Sequence, residues 1–242
     1  MISIMYHHVQ SDRCSNTLTM LDSHLQYLSE HFTTLFPSKT IACKNPVCLV
    51  FDDGYFDFYK YIFPLLKKYD LKALLAVTPK YILEDTDQED AKRLCFEHND
   101  LFEHFTEGTF CTYKELREMI ESGHVQVVSH SYSHMNLLEK DVDLSLELEG
   151  SKKILEEKLG TTVESFVFPF GKYNQAILDE TKKHYKYAFR IGNAVNDDFN
   201  GINGVIYRVD GDNLRSADEI FKLSKMVGYR YKKFIKEIVG NR

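Results

Sequence analysis

The feature that most constrains this chain is a repeated pairing of a short, wholly apolar run with a helical stretch. Val47-Cys48-Leu49-Val50-Phe51 and Ala73-Leu74-Leu75-Ala76-Val77 each run five residues without a polar break. A strand that is apolar on both faces must be buried on both, as in a parallel sheet covered by helices. The same reading places strands at 2–6, 125–129, 166–168, 187–190 and 205–209. Apolar spacing predicts helices at 19–32, 55–69, 112–123, 141–159, 174–184 and 217–239. Thr112-Tyr113-Lys114-Glu115 fits a capping box at the start of one of them. Strand-then-helix order over the whole of 1–242 predicts an α/β chain folded as one domain of barrel type. Only 84–110 breaks the rhythm. It is acidic and weakly periodic, and reads as an insertion, either a functional loop or a surface decoration.

Composition sharpens this. Of 242 residues, 43% are hydrophobic and 27% charged, which excludes disordered and disulfide-stapled classes. The five cysteines (14, 43, 48, 95, 111) are odd in number and form no CxxC pair, so free thiols are expected. A net charge of −6 argues against a nucleic-acid partner. No apolar run approaches the roughly 20 residues of a membrane-spanning helix. The start, MISIMYHHVQ, lacks a basic leader, so a cytoplasmic location is expected, with the inner membrane face as a variant. Charge is unevenly spread. Residues 215–242 hold eight Lys or Arg against three acids, a net +5, leaving −11 on the remainder. That basic tail also carries Ile220, Phe221, Leu223, Met226, Phe234, Ile235 and Ile238. The expectation is that this apolar face packs on the barrel while its lysines are solvated. The alternative is peripheral contact with anionic lipid.

The polar residues that matter follow the strands. Asp52 and Asp53 follow 47–51, His130 and His134 follow 125–129, and Pro169-Phe170-Gly171 follows 166–168. In α/β barrels chemistry collects at the C-terminal strand ends. Two imidazoles and a carboxylate make three protein ligands and leave a position open, the pattern of a catalytic rather than a closed zinc site. His130 and His134, four apart, share a face if the segment turns helically. A spare carboxylate beside the ligand carboxylate can accept a proton from water. Alone, Asp-Asp-Gly is a common turn and HxxxH a common surface helix; together, each directly after a buried strand, they point to a metal site.

At these residues the chain resembles the polysaccharide deacetylase family, the NodB-homology group of carbohydrate esterases. Phe51-Asp52-Asp53-Gly54 resembles its first motif, Ser129-His130-Ser131-Tyr132-Ser133-His134 its second, and Phe168-Pro169-Phe170-Gly171 its third. Met5-Tyr6-His7-His8-Val9 resembles the start of the branch that deacetylates poly-N-acetylglucosamine. The resemblance covers roughly 1–210. It implies a distorted (β/α) barrel and metal-dependent removal of an N-acyl group from a sugar. Carried over by position, Asp53, His130 and His134 would hold a divalent metal, zinc first, with cobalt or nickel as alternatives. Asp52 would be the general base, and His7 the acid, with His8 as fallback. The Phe170 N–H would help hold the oxyanion. The arginine usual in the third motif is missing, and Arg208 is the candidate replacement near Asp52, unless it pairs with Asp210 instead. With no Trp in the chain, sugar stacking falls to Tyr55, Phe170 or Tyr173.

The expected substrate is a carbohydrate bearing N-acetyl groups. With no leader, a nucleotide- or lipid-linked glycan precursor of surface-polysaccharide synthesis is favoured over a finished wall polymer. Two other readings stay open: a deformylase or other C–N hydrolase on a linked amino sugar, and a sugar-binding module without chemistry.

Overall fold

A computed structural model describes residues 1–38 and 40–239, and in it seven parallel strands close into a ring. They are β1 (Ile2–Tyr6), β2 (Pro46–Phe51), β3 (Ala73–Val77), β4 (Val125–Ser129), β5 (Ser165–Val167), β6 (Tyr187–Ile191) and β7 (Ile206–Asp210). β1 closes the ring by pairing with β2 on one side and β7 on the other. Two features distort it. There are seven strands rather than eight, and β4 and β5 share one registered pair, Ser129 with Phe166. A short strand, Thr33–Thr34, pairs with β2 outside the ring.

The register decides what faces the centre. Val50, Leu74, Val128, Val167, Phe189 and Ile206, alternate residues of six strands, form one apolar plug inside the ring. The intervening residues, such as Leu49, Phe51, Leu75 and Val127, face outward into the larger core shared with the helices. Because side chains alternate with period two, the next inward position after Val50 is Asp52, after Val128 is His130, and after Ile206 is Arg208. On β1, Ser3 and Met5 register with Cys48 and Val50, so His7 is the next inward residue there. The strand-end polar residues therefore stand on one apolar floor at the C-terminal mouth of the barrel.

The helices lie outside. Thr112 makes its capping box with Glu115. Two helices depart from expectation. The one expected over 55–69 opens with a π-helical turn, Phe58–Ile62, before Phe63–Lys68. The one expected over 141–159 begins only at 144 and passes through a π-turn, Leu146–Gly150, before Ser151–Leu159. Such wide turns often mark functional places. Here a buried carboxylate sits beside each, Asp57 just before the first and Glu147 within the second. Both reach loops at the barrel mouth, as described below.

The insertion 84–110 is built of short turns, Asp90–Arg93, His98–Asp100 and Phe105–Glu107. It is clamped by buried Arg93, which pairs with Glu115 at 2.7 Å and donates to the carbonyls of Gly108 and Phe110. The segment is a wall of the cleft rather than a surface decoration.

The last helix, Leu223–Val239, corrects the expectation for the basic tail. Ile220 is buried, and Phe221 and Met226 are partly so. Leu223 (81% exposed), Val227, Tyr231, Phe234 and Ile238 (66%) face solvent. The helix meets the barrel through Met226, Tyr229, Lys233 and Lys236 instead. Residues 240–242 of the tail lie outside the described residues. Among those described, no helix is long and apolar enough to cross a membrane, and all five cysteines are free.

Candidate active site

The Asp-Asp-Gly turn splits two adjacent carboxylates between two tasks. Asp53 (φ 74°) and Gly54 (φ 76°) are both left-handed, so the chain turns sharply as it leaves β2. A Cβ on Gly54 would come within 2.8 Å of Val77 Cγ1, which restricts that position to glycine. Asp52 is sent under His7 and Arg208, and Asp53 toward the two histidines.

The three expected metal ligands meet. His134 Nε2 lies 3.2 Å and His130 Nε2 3.5 Å from Asp53 Oδ1. Tetrahedral donors about 2.0–2.1 Å from a zinc ion stand about 3.3 Å from one another, so this spacing fits. Asp53 Oδ1 is buried and has no hydrogen-bond partner, an expensive arrangement for a carboxylate unless a cation completes it. His130 Nδ1 is 2.8 Å from the Val167 carbonyl and can only donate there, which leaves Nε2 as a lone pair aimed at Asp53. Burial lowers His130 to about 4, so the imidazole is neutral and able to ligate.

The two histidines do not share a helix face. Residues 130–136 form an irregular loop, and they converge because Ser131 (φ 66°) and His134 (φ 57°) are left-handed. Glu147 holds this loop: one oxygen accepts the Ser133 N–H at 2.9 Å and the other its hydroxyl at 2.5 Å.

Across the mouth, Arg208 Nη1 donates to Asp52 Oδ1 at 2.5 Å and does not turn to Asp210. Burial works against the Asp52 charge, but the Arg208 guanidinium, with the charged His7 behind it, holds its carboxyl below the usual range. His7 Nε2 stands 3.9 Å from Asp52 Oδ2. Asp212 grips His7 twice: Oδ2 lies 2.7 Å from the ring Nδ1, and Oδ1 accepts the backbone N–H at 3.1 Å. Burial opposes protonation of His7, yet Asp212 and Asp52 prevail, and its pKa is pushed up to about 10. His8 points elsewhere. Its Nδ1 is 3.0 Å from Asp57 and its Nε2 3.0 Å from Nδ1 of His98.

His7, Asp52, Asp53, His130, His134 and Arg208 line one cleft of ≈ 380 Å³. Phe170 sits at its rim, 56% exposed, with its ring centroid 4.7 Å from that of His134. Its left-handed φ of 56° is an outlier for a bulky residue, and such strain clusters at functional sites. Tyr55 does not offer a stacking face. It is 2% exposed, with His8 stacked on it at 4.0 Å and Phe110 at 5.2 Å. Tyr173 is likewise stacked on Phe168. Sequence reading missed several contributors: Asp212, Glu147, and His98 and Phe102 of the insertion, the last stacked on His134 at 5.1 Å. A carboxylate two residues past the last strand was the one available signal, for Asp212.

A match to the polysaccharide deacetylase family runs over residues 39–188, more than half of the chain. The chain belongs to this family. The matched span contains Asp52, Asp53, His130, His134 and Phe170, whereas His7, Arg208 and Asp212 lie outside it and are brought in by the fold. A curated relative, the putative polysaccharide deacetylase YxkH of Bacillus subtilis, is 27% identical over 195 residues, 74% of this chain. The match spans 60% of that relative's length. Among solved structures, the Bacillus cereus polysaccharide deacetylase BC0361 superposes with a TM-score of 0.74 at 20% identity, covering 93% of this chain and 68% of that one. The Streptococcus pyogenes deacetylase PplD, solved with acetate, also gives 0.74, at 22% identity, covering 92% and 96%. At these identities the likeness is one of fold, and it agrees with the barrel described above.

Proposed function

We propose that the chain is a metal-dependent hydrolase that removes an N-acetyl group from an amino sugar of a glycan or glycan precursor. The observation that carries this is the buried Asp53 oxygen, without a hydrogen-bond partner, facing the Nε2 atoms of His130 and His134, with Asp52 and His7 across the same cleft. Family membership and the acetate bound by a structural relative support the choice of acyl group.

Asp53, His130 and His134 hold the metal, zinc by their donor set, with cobalt or nickel also suited. When bound, a divalent cation polarises the acyl carbonyl and makes water a better nucleophile. Asp52, kept ionised and fixed by Arg208, takes a proton from the attacking water. The Phe170 N–H faces the developing oxyanion, a task for a fixed dipole rather than a side chain. His7, kept charged by Asp212, protonates the sugar nitrogen as the C–N bond breaks, so that acetate and a free amine leave. Phe170 also supplies the exposed aromatic face for the sugar ring.

The test is a deacylation screen over N-acetyl and N-formyl amino sugars, free, nucleotide-linked, lipid-linked and polymeric, with zinc, cobalt or nickel added. Metal-dependent release of acetate supports the reading. Formate release alone would reassign the acyl group, and metal uptake without any release would leave a binding module.

A further inference from the structure

We propose that the outer face of helix Leu223–Val239 docks on an anionic lipid surface. The helix is mounted the wrong way round for a helix whose only task is to cover a core. Met226, Tyr229, Lys233 and Lys236, spaced by three and four residues, form its inward face. Tyr229 is the one buried residue of the helix. Lys233 bonds Asp197, and the Lys236 ammonium sits over the Tyr207 ring at 4.2 Å. Val227, Tyr231, Phe234 and Ile238, at the same spacing, lie on the opposite face and are 58%, 64%, 57% and 66% exposed. Leu223 extends the stripe. An ordinary surface helix buries its apolar stripe and exposes its lysines. A continuous apolar stripe left outside marks an interaction site.

Charge selects the occupant. Arg230 and Lys232 are exposed beside the stripe, and Lys225, also exposed, lies 3.6 Å from Glu219. Residues 222–239 hold six cations and one acid, with Lys222 and Lys233 facing Asp218 and Asp197 from outside that span. Pairing two copies of this helix would bring two strongly positive sets together, which disfavours a homodimer through this face. Lipid phosphates at headgroup level would meet the cations while the stripe enters the acyl boundary. The remaining −11 charge is repelled by the same surface, so docking is confined to this face. At 17 residues with cations along both flanks, the helix lies in the surface plane rather than crossing it. It starts beside Asp212 at the cleft end of the barrel and ends beside Met1 and Pro46 at the other. A surface along the stripe therefore runs parallel to the barrel axis, with the cleft open at its edge.

The absence of Trp makes the test direct. A Tyr231→Trp variant carries a single reporter on the stripe. Its emission should shift to the blue with phosphatidylglycerol-containing vesicles and stay unchanged with phosphatidylcholine alone. The protein should co-sediment with the former only. Phe234→Ser with Ile238→Ser should abolish both signals while the melting temperature is kept, since both side chains are solvent-facing. Arg230→Gln with Lys232→Gln should weaken binding about 25-fold, about fivefold for each cation removed. Three results would overturn the proposal: no binding to anionic vesicles, binding that ignores the stripe variants, or concentration-dependent dimerisation that the stripe variants dissolve. None of these readouts uses catalysis, so the hydrolase reading stands or falls separately.

Discussion

Replacing Asp212 with Asn removes a charge and keeps the shape of the group that holds His7. In the native site, Asp212 Oδ2 is 2.7 Å from the His7 ring, and the nearest other carboxylate oxygen, on Asp52, is 3.9 Å away. A unit charge at about 4 Å contributes about 4 kcal/mol at an effective dielectric near 20. That corresponds to about 3 pH units. His7 should therefore fall from about 10 to about 7 or below, since burial then meets less opposition. Above that pH the sugar amine loses its acid, and general acid catalysis typically contributes about 100- to 10,000-fold. The alkaline limb of the rate profile should move down by about the same 3 units. Stability should follow. The native raised pKa contributes stability that is fully present below 6.5 and fades as pH rises through about 10, and this decline should shrink in the variant. The assay is an NMR titration of the His7 ring in both proteins, with the pH dependence of acetate release beside it. A His7 that titrates within about one unit of the native value in Asp212→Asn would refute the reasoning.

Asp53→Asn should abolish metal uptake by elemental analysis and remove the rise in melting temperature on adding zinc, about 2.7 kcal/mol at a hundredfold excess over Kd. Glu147→Ala frees the loop that carries His134 and should weaken metal affinity about 10- to 100-fold in a competition titration, with Glu147→Gln less affected because it keeps an acceptor. Phe170→Ala removes an exposed ring, so stability should change by no more than about 0.5 kcal/mol. KM for a sugar substrate should rise, and equal KM values in the two proteins would remove Phe170 from the binding face.

The strands were legible because a barrel buries both of their faces, so their sequences carry unbroken apolar runs. The cluster of Asp53, His130 and His134 was legible for a related reason. Asp52 and His130 follow their strands directly, so the strand fixes where they point, and Asp53 and His134 lie one and four residues further along the same turns. What escaped was set by loops. Asp212 reaches His7 across about the whole chain through a turn with no periodicity. Glu147 and Asp57 sit beside π-turns, which a 3.6-residue pattern reads as ordinary helix. Tyr55 follows a turn whose two left-handed residues carry it beneath the insertion, so its ring packs on His8 and leaves no face for a sugar. The last helix shows a further limit. Periodicity identifies an apolar stripe but not the side on which the barrel lies, and here the barrel took the face with Tyr229 and two lysines.

The central claim is that Asp53, His130 and His134 hold a metal while Asp52 moves the proton. Metal content and acetate release measured together on Asp52→Asn test it most directly. The account predicts one metal ion per chain, as in the native protein, with acetate release lost. Full release by Asp52→Asn, or release by native protein stripped of metal, would contradict it.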